Sequence, residues 1–159
     1  MDNKYVKLHS LLRMFAALLA IIVFVSMFMN KFVQQVDMDN VFVDFATGAF
    51  FGGDNFEHGN VIAFIAYLFV LLGGLAGLAF VFIDELLGKD LTKKLSFAVG
   101  GVVFVAGILI TLFAPIFRAL NGLEFEFWKT TAAPIVFGIL AILVGAANAA
   151  APILEEKGL

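Results

Sequence analysis

The side chains able to do chemistry gather outside the apolar runs of this sequence. Its two histidines are His9 and His58. His58 follows Asp54 and Glu57, and Asp37, Asp39 and Asp44 precede them in one acidic stretch, VDMDNVFVDFATGAFFGGDNFEHGN, residues 36–60. Carboxylates beside an imidazole are a donor set for a metal ion. The run DMDN, however, lacks the glycine and the closing glutamate of a calcium loop, so the expectation is an acidic, hydrated surface and no metal site.

Neither histidine falls within an apolar run, which excludes two histidines of one chain holding a membrane haem. Ser10, Ser26 and Ser96 lie at or inside apolar runs, and nucleophilic catalysis would need a base and an orienting group arranged around one of them. Gly73-Gly74-Leu75-Ala76-Gly77 sits inside an apolar run, where it cannot cradle a phosphate. The chain has no cysteine, and with that go disulfides, thiolate metal sites and iron–sulfur clusters. Net charge is −3, against the basic face that nucleic acid requires. The residues therefore predict no catalytic group, no cofactor and no metal: a non-enzymatic protein.

The elements that would hold these groups are set by the solvent. Of the 159 residues, 62% are hydrophobic and only 14% charged, and mean hydropathy is +1.03. A soluble domain carries about a quarter charged residues. Crossing a hydrocarbon core takes roughly 20 mostly apolar residues. Four runs qualify, at residues 11–33, 61–83, 95–117 and 131–154. MFMNKFV, after the first, holds no small-x-small cleavage site, so that run is read as a retained span and not a signal peptide. Arg13, near its start, is expected to reach the headgroups as an interfacial anchor.

Lys and Arg bias sets the orientation. Lys4, Lys7, Arg13, Lys89, Lys93, Lys94 and Lys157 fall on one side, and Lys31, Arg118 and Lys129 on the other. The expected fold is an all-α integral membrane protein, a single domain over residues 1–159. It is a four-span up-down bundle with both termini and residues 84–94 cytoplasmic, and with outer loops 34–60 and 118–130. The location implied is a bacterial-type plasma membrane.

Lipid tails are as apolar as Leu, so helices associate through close packing of small residues. Ala16 and Ala20 make one such pair in the first span, and Gly73 and Gly77 another in the second. Ala141, Gly145 and Ala149 form a ladder in the fourth. In the third, Gly100, Gly101 and Gly107 share no single face. Pro115 and Pro134 mark helix boundaries. Asn148, the one amide deep in a span, is expected to bond across to another helix, worth on the order of 1 kcal/mol.

The outer loops mix carboxylates with aromatics for a reason that depends on the bilayer: aromatic rings are favoured at its interface. Phe42, Asp44, Phe45, Phe50 and Phe51 fit either an interfacial helix or an alternating strand. Glu124 and Glu126 alternate with Phe125 and Phe127 ahead of Trp128, a two-faced strand pattern. A short outer helix, or a small β-hairpin or sheet built from both loops, is expected, with these residues forming an interaction surface.

In topology the layout resembles four-span membrane proteins of the claudin kind. It lacks their first-loop signature of Trp, Gly-Leu-Trp and two cysteines, since there is no cysteine and the sole tryptophan is Trp128. The resemblance therefore implies a topology and carries over no functional residue. The function expected is that of a structural or accessory membrane subunit that self-associates or docks with other membrane subunits. The alternatives are an oligomeric ion channel or small-solute transporter, with a pore lined by Ser96, Thr111 and Asn148, and, third, an enzyme on a lipid-like substrate.

Overall fold

Away from water, a chain can satisfy its backbone N–H and C=O groups only by bonding them along a helix or within a closed barrel. The long apolar runs take the first course. The computed structural model describes residues 7–29, 32–36, 42–44, 48–52, 58–123 and 128–158. In chain order these form α1 (Leu8–Met29), β1 (Val33–Val36), β2 (Phe42–Asp44), α2 (Gly48–Phe51), α3 (Val61–Leu87), α4 (Lys89–Thr111), α5 (Phe113–Asn121), β3 (Trp128–Thr130) and α6 (Ala132–Glu156). The four long helices α1, α3, α4 and α6 are each long and apolar enough to cross a membrane.

Their boundaries differ from the apolar runs for local reasons. The stretch 84–94, expected as a loop, is helical apart from Gly88. Its Glu, Leu and Lys residues are good helix formers, so both helices continue past the apolar core. Gly88, at φ 80°, reverses the chain in one residue, a conformation that a side chain resists. Its N–H donates to the carbonyl of Asp84 at 2.9 Å. The third run, expected over 95–117, is divided: α4 ends at Thr111 and α5 begins at Phe113. Pro115 brings no N–H to the Thr111 carbonyl, its i−4 partner. Residue 33, placed in the first span by composition, belongs to β1 instead.

The start of α3 is pinned twice by Asn60, which is fully buried. Its Oδ1 accepts the Ala63 N–H at 3.1 Å, and its Nδ2 donates to the Phe113 carbonyl at 3.1 Å. One side chain thus caps α3 and fixes it to the start of α5.

Glycine sets how closely the helices approach. A methyl group added at Gly100 would lie 2.8 Å from the Gly145 carbonyl oxygen, and one at Gly145 would lie 2.7 Å from that of Gly100. Gly107 faces the Gly138 carbonyl and Ile142 in the same seam. Between α1 and α3, Gly74 lies against Ala20 and Ala16; between α3 and α4, Gly73 lies against Val103 and Val99. The α4–α6 contacts run in opposite sequence directions, as do Arg13 to Phe80 and Phe32 to Tyr67 between the α1 and α3 segments, and Gly88 reverses the chain between α3 and α4, so each of these pairs packs antiparallel. The same registers bring Val23, Val70, Val103 and Val144, all fully buried, to about one level near the middle of the bundle. One valine from each long helix makes a dry layer there.

Beyond that layer, toward the ends of α1 and α4, the core turns aromatic. The Phe32 ring lies 4.9 Å from Phe50 and 5.1 Å from Phe113, and Tyr67 lies 5.9 Å from Phe32. Near this end β1 is the central strand of a three-stranded antiparallel sheet, order β2-β1-β3. Gln35 is opposite Val43 on one side and Trp128 on the other. The sheet therefore joins the two connections read from the sequence as outer loops.

Candidate functional site

Away from the aromatic end, past the valine layer, all four long helices direct polar groups inward. α1 supplies Arg13, α3 Asp84, α4 Thr92 and Ser96, and α6 Asn148 and Glu155. Arg13, Thr92, Ser96 and Asn148 are each no more than 2% exposed.

Arg13 is the centre of this group. It lies five residues into α1, about 7 Å along the axis. Its Nη2 donates to Ser96 Oγ at 3.2 Å. The Glu155 carboxylate is 4.0 Å away, and the guanidinium lies 5.7 Å from the Phe80 ring centre, within range of a cation–π attraction. Arg13 Nε has no hydrogen-bond partner among the described residues. This corrects the reading of Arg13 as a lipid-facing anchor. The signal was in the sequence: Arg13 precedes Ala16 and Ala20 by three and seven residues, so it shares their helix face. That face packs inward, and Arg13 goes with it.

Asn148 is the deepest member, eight residues from the end of α6 and so about 12 Å along its axis. Its Nδ2 donates to the Gly73 carbonyl at 3.2 Å, while its Oδ1 has no partner among the described residues. Gly77 makes room for the carboxamide, which occupies the space a side chain there would take. Four residues on, Pro152 offers no N–H to the Asn148 backbone carbonyl. Thr92 Oγ1, also buried, is likewise without a partner among the described residues.

Two adjoining cavities open on this cluster. One, of about 250 Å³, has Arg13, Lys7, Lys89, Asp84, Glu85 and Glu155 among its lining residues. The other, of about 180 Å³, is lined by Lys89, Asp90, Lys93, Pro152, Glu155 and Glu156. They share Lys89 and Glu155. At the rim, Lys93 Nζ is 2.5 Å from Glu156 Oε1, an exposed pair of small energetic weight. Such an arrangement can bind and orient a charged group. His9 also borders the larger cavity, whereas His58 is tied to Asn121 by its backbone at the opposite end, so the two do not meet. Among the described residues no group of three or more His, Cys, Asp or Glu is placed to hold a metal.

The residues expected to pack helices lie inside the bundle. Ala16 and Ala20 meet Gly74; Gly73 meets Val103, and Gly77 meets Asn148. Ala141 is fully buried, Gly145 meets Gly100, and the half-buried Ala149 also touches Gly100. The third span does have a packing face: Gly100, Val103 and Gly107, spaced i, i+3 and i+7. Only Gly101 looks away from it, with nothing within 4 Å. Ser96, Thr111 and Asn148, expected to line a pore between subunits, are engaged within the chain. Ser96 holds Arg13, Thr111 Oγ1 donates to the Gly107 carbonyl at 2.9 Å, and Asn148 bonds to α3.

Of the residues expected to form an outer surface, Phe50 is buried in the aromatic core and Phe51 is 62% exposed. Phe42, Asp44 and Trp128 belong to the sheet through their backbones. Phe45, Glu124 and Glu126, like Asp37, Asp39, Asp54 and Glu57, lie outside the described residues.

One more surface feature is large. A trough of about 360 Å³ runs between α3 and α4, bordered by Phe69, Leu72, Ala76, Ala98, Val99 and Val102 and almost purely apolar. Comparison with protein-family models, with curated proteins and with solved structures finds no match for this chain.

Proposed function

We propose that the chain is a non-enzymatic integral membrane tetraspan serving as a structural or accessory subunit. It docks sideways on another membrane-embedded helix, either of a second copy or of a different subunit. The observation carrying this reading is the apolar trough between α3 and α4. The other small-residue faces are occupied within the chain, whereas this one is open, and Ala76 and Ala98 at its edge allow close backbone approach. Lys7, Lys89, Lys93, Lys94 and Lys157 fall at the polar end, and the positive-inside rule favours a cytoplasmic side for that end.

The test is extraction from native membranes in mild detergent, followed by measurement of the complex mass. A mass above that of one chain, lost on Ala98→Phe, supports docking at the trough. A monodisperse single copy with no companion rejects it.

A small-solute transporter is the second reading, favoured by the cavities and by the unpartnered Asn148 Oδ1 beneath them. Passage through one chain would have to cross the valine layer, so this reading requires opening of the bundle. Solute-loaded vesicles containing the pure protein would decide it: release faster than from empty vesicles supports transport, and identical release removes it.

A further inference from the structure

The larger cavity at the polar end has a property that sideways docking does not use: its deepest charged group is under-compensated. Arg13 is 1% exposed, and removing a guanidinium from water is costly unless it is paired and hydrogen-bonded. Here it bonds to one hydroxyl. The Glu155 carboxylate stands 4.0 Å off, beyond hydrogen-bond reach. Nε is buried and has no partner among the described residues. Arg13 is one of the lining residues of this cavity, and guanidinium donors favour oxyanions, phosphate above all.

The rest of the lining narrows the ligand. Lys7, Arg13 and Lys89 supply three positive charges, and Asp84, Glu85 and Glu155 three negative ones. A bare anion would gain from the guanidinium and lose to three carboxylates. A group that carries both charges gains from both sets. The charged groups are not interchangeable either: Arg13 is buried, whereas Lys89 and Glu85 are exposed. The negative part of the ligand therefore goes in first. The depth of Arg13, about 7 Å along α1, suits a headgroup at the edge of the hydrocarbon.

We infer that this cavity binds a phosphodiester or phosphomonoester bearing a primary ammonium, the oxyanion on Arg13 and the ammonium against the carboxylates of Asp84, Glu85 and Glu155. Phosphatidylethanolamine in the adjoining leaflet and free phosphoethanolamine both offer that chemistry. The inference stands apart from the docking reading, since the trough between α3 and α4 is a different surface.

The experiment uses the full chain in a maltoside detergent and follows its thermal midpoint as four probes are titrated: phosphatidylethanolamine, phosphatidylcholine, phosphatidylglycerol and soluble phosphoethanolamine. Phosphatidylethanolamine is expected to stabilise the protein and to bind about tenfold more tightly than the choline or glycerol lipid, a factor that one charge-assisted contact supplies. A matching response to soluble phosphoethanolamine identifies the headgroup alone as the ligand. A response to the lipid only identifies the leaflet as the source. Arg13→Met is expected to remove the preference while the chain still folds. Should that variant not fold, Asp84→Asn/Glu85→Gln, which removes two of the carboxylates assigned to the ammonium, replaces it and is expected to weaken the preference severalfold. Equal responses to all three lipids, no response to any probe, or undiminished preference in the variant that folds overturns the inference.

Discussion

At one end of the bundle Phe32, Phe50, Tyr67 and Phe113 pack ring against ring at centroid separations of 4.9 to 5.9 Å. At the other end the buried side chains are mostly polar: Arg13, Thr92 and Asn148 each keep an atom with no partner among the described residues, whereas the ring cluster carries one buried hydroxyl, that of Tyr67. The two ends are parts of one set of helices, separated by the valine layer. Edge-to-face aromatic contacts add stability beyond simple burial, whereas buried polar groups stabilise only when their bonding is complete. The aromatic end is therefore expected to contribute more to stability than the polar end.

That contrast can be broken by mutation. The largest effect is expected from Phe113→Ala, which removes the ring shared by Phe32, Phe50 and Phe117. It should cost on the order of 3 kcal/mol, measured as resistance to unfolding in mixed detergent and SDS. A loss as small as that of a surface change would place the stabilising core elsewhere. Asn148→Ala comes next, at about 1 kcal/mol for the bond to the Gly73 carbonyl. An unchanged unfolding midpoint would mean that the unpartnered Oδ1 already cancels that bond.

Arg13→Met should fall within about 1 kcal/mol of the parent, in either direction, because an apolar side chain replaces an incompletely paired charge. Glu155, the partner left behind, keeps access to water. A loss as large as that from Phe113→Ala would make the polar end a pillar of the fold and erase the contrast. Lys93→Gln should move stability by no more than a few tenths of a kcal/mol, since the pair with Glu156 is solvent-screened, and raising the salt concentration should mimic it.

The sequence was most legible where the physics is one-dimensional. A run of apolar residues can be read in order, and the four long helices appear where such runs do. It was least legible where two helices meet. Gly100 and Gly107 looked unaligned beside Gly101, yet their i, i+7 spacing with Val103 between is a packing face; only the presence of α6 against it made that plain. Arg13 carried the same kind of hidden signal. Its charge pointed to the headgroups, while its phase relative to Ala16 and Ala20 pointed inward, and the phase prevailed. A small sheet from the two loops was among the expectations, but β1 itself was not picked out, because VQQV follows an apolar run without a break and one of its two partner strands lies nearly a hundred positions away.

The sequence by itself determined that four helices are long and apolar enough to cross a membrane, and which chemistries missing cysteine puts out of reach. These follow from hydropathy, from the fixed rise of a helix and from residue identity, none of which needs a second segment. Tertiary structure decided which helix faces meet, that the polar groups of four helices collect at one end, and that the buried guanidinium lacks a full set of partners. Those properties depend on the relative rotation of the helices, and rotation is set jointly by surfaces that lie far apart in the chain.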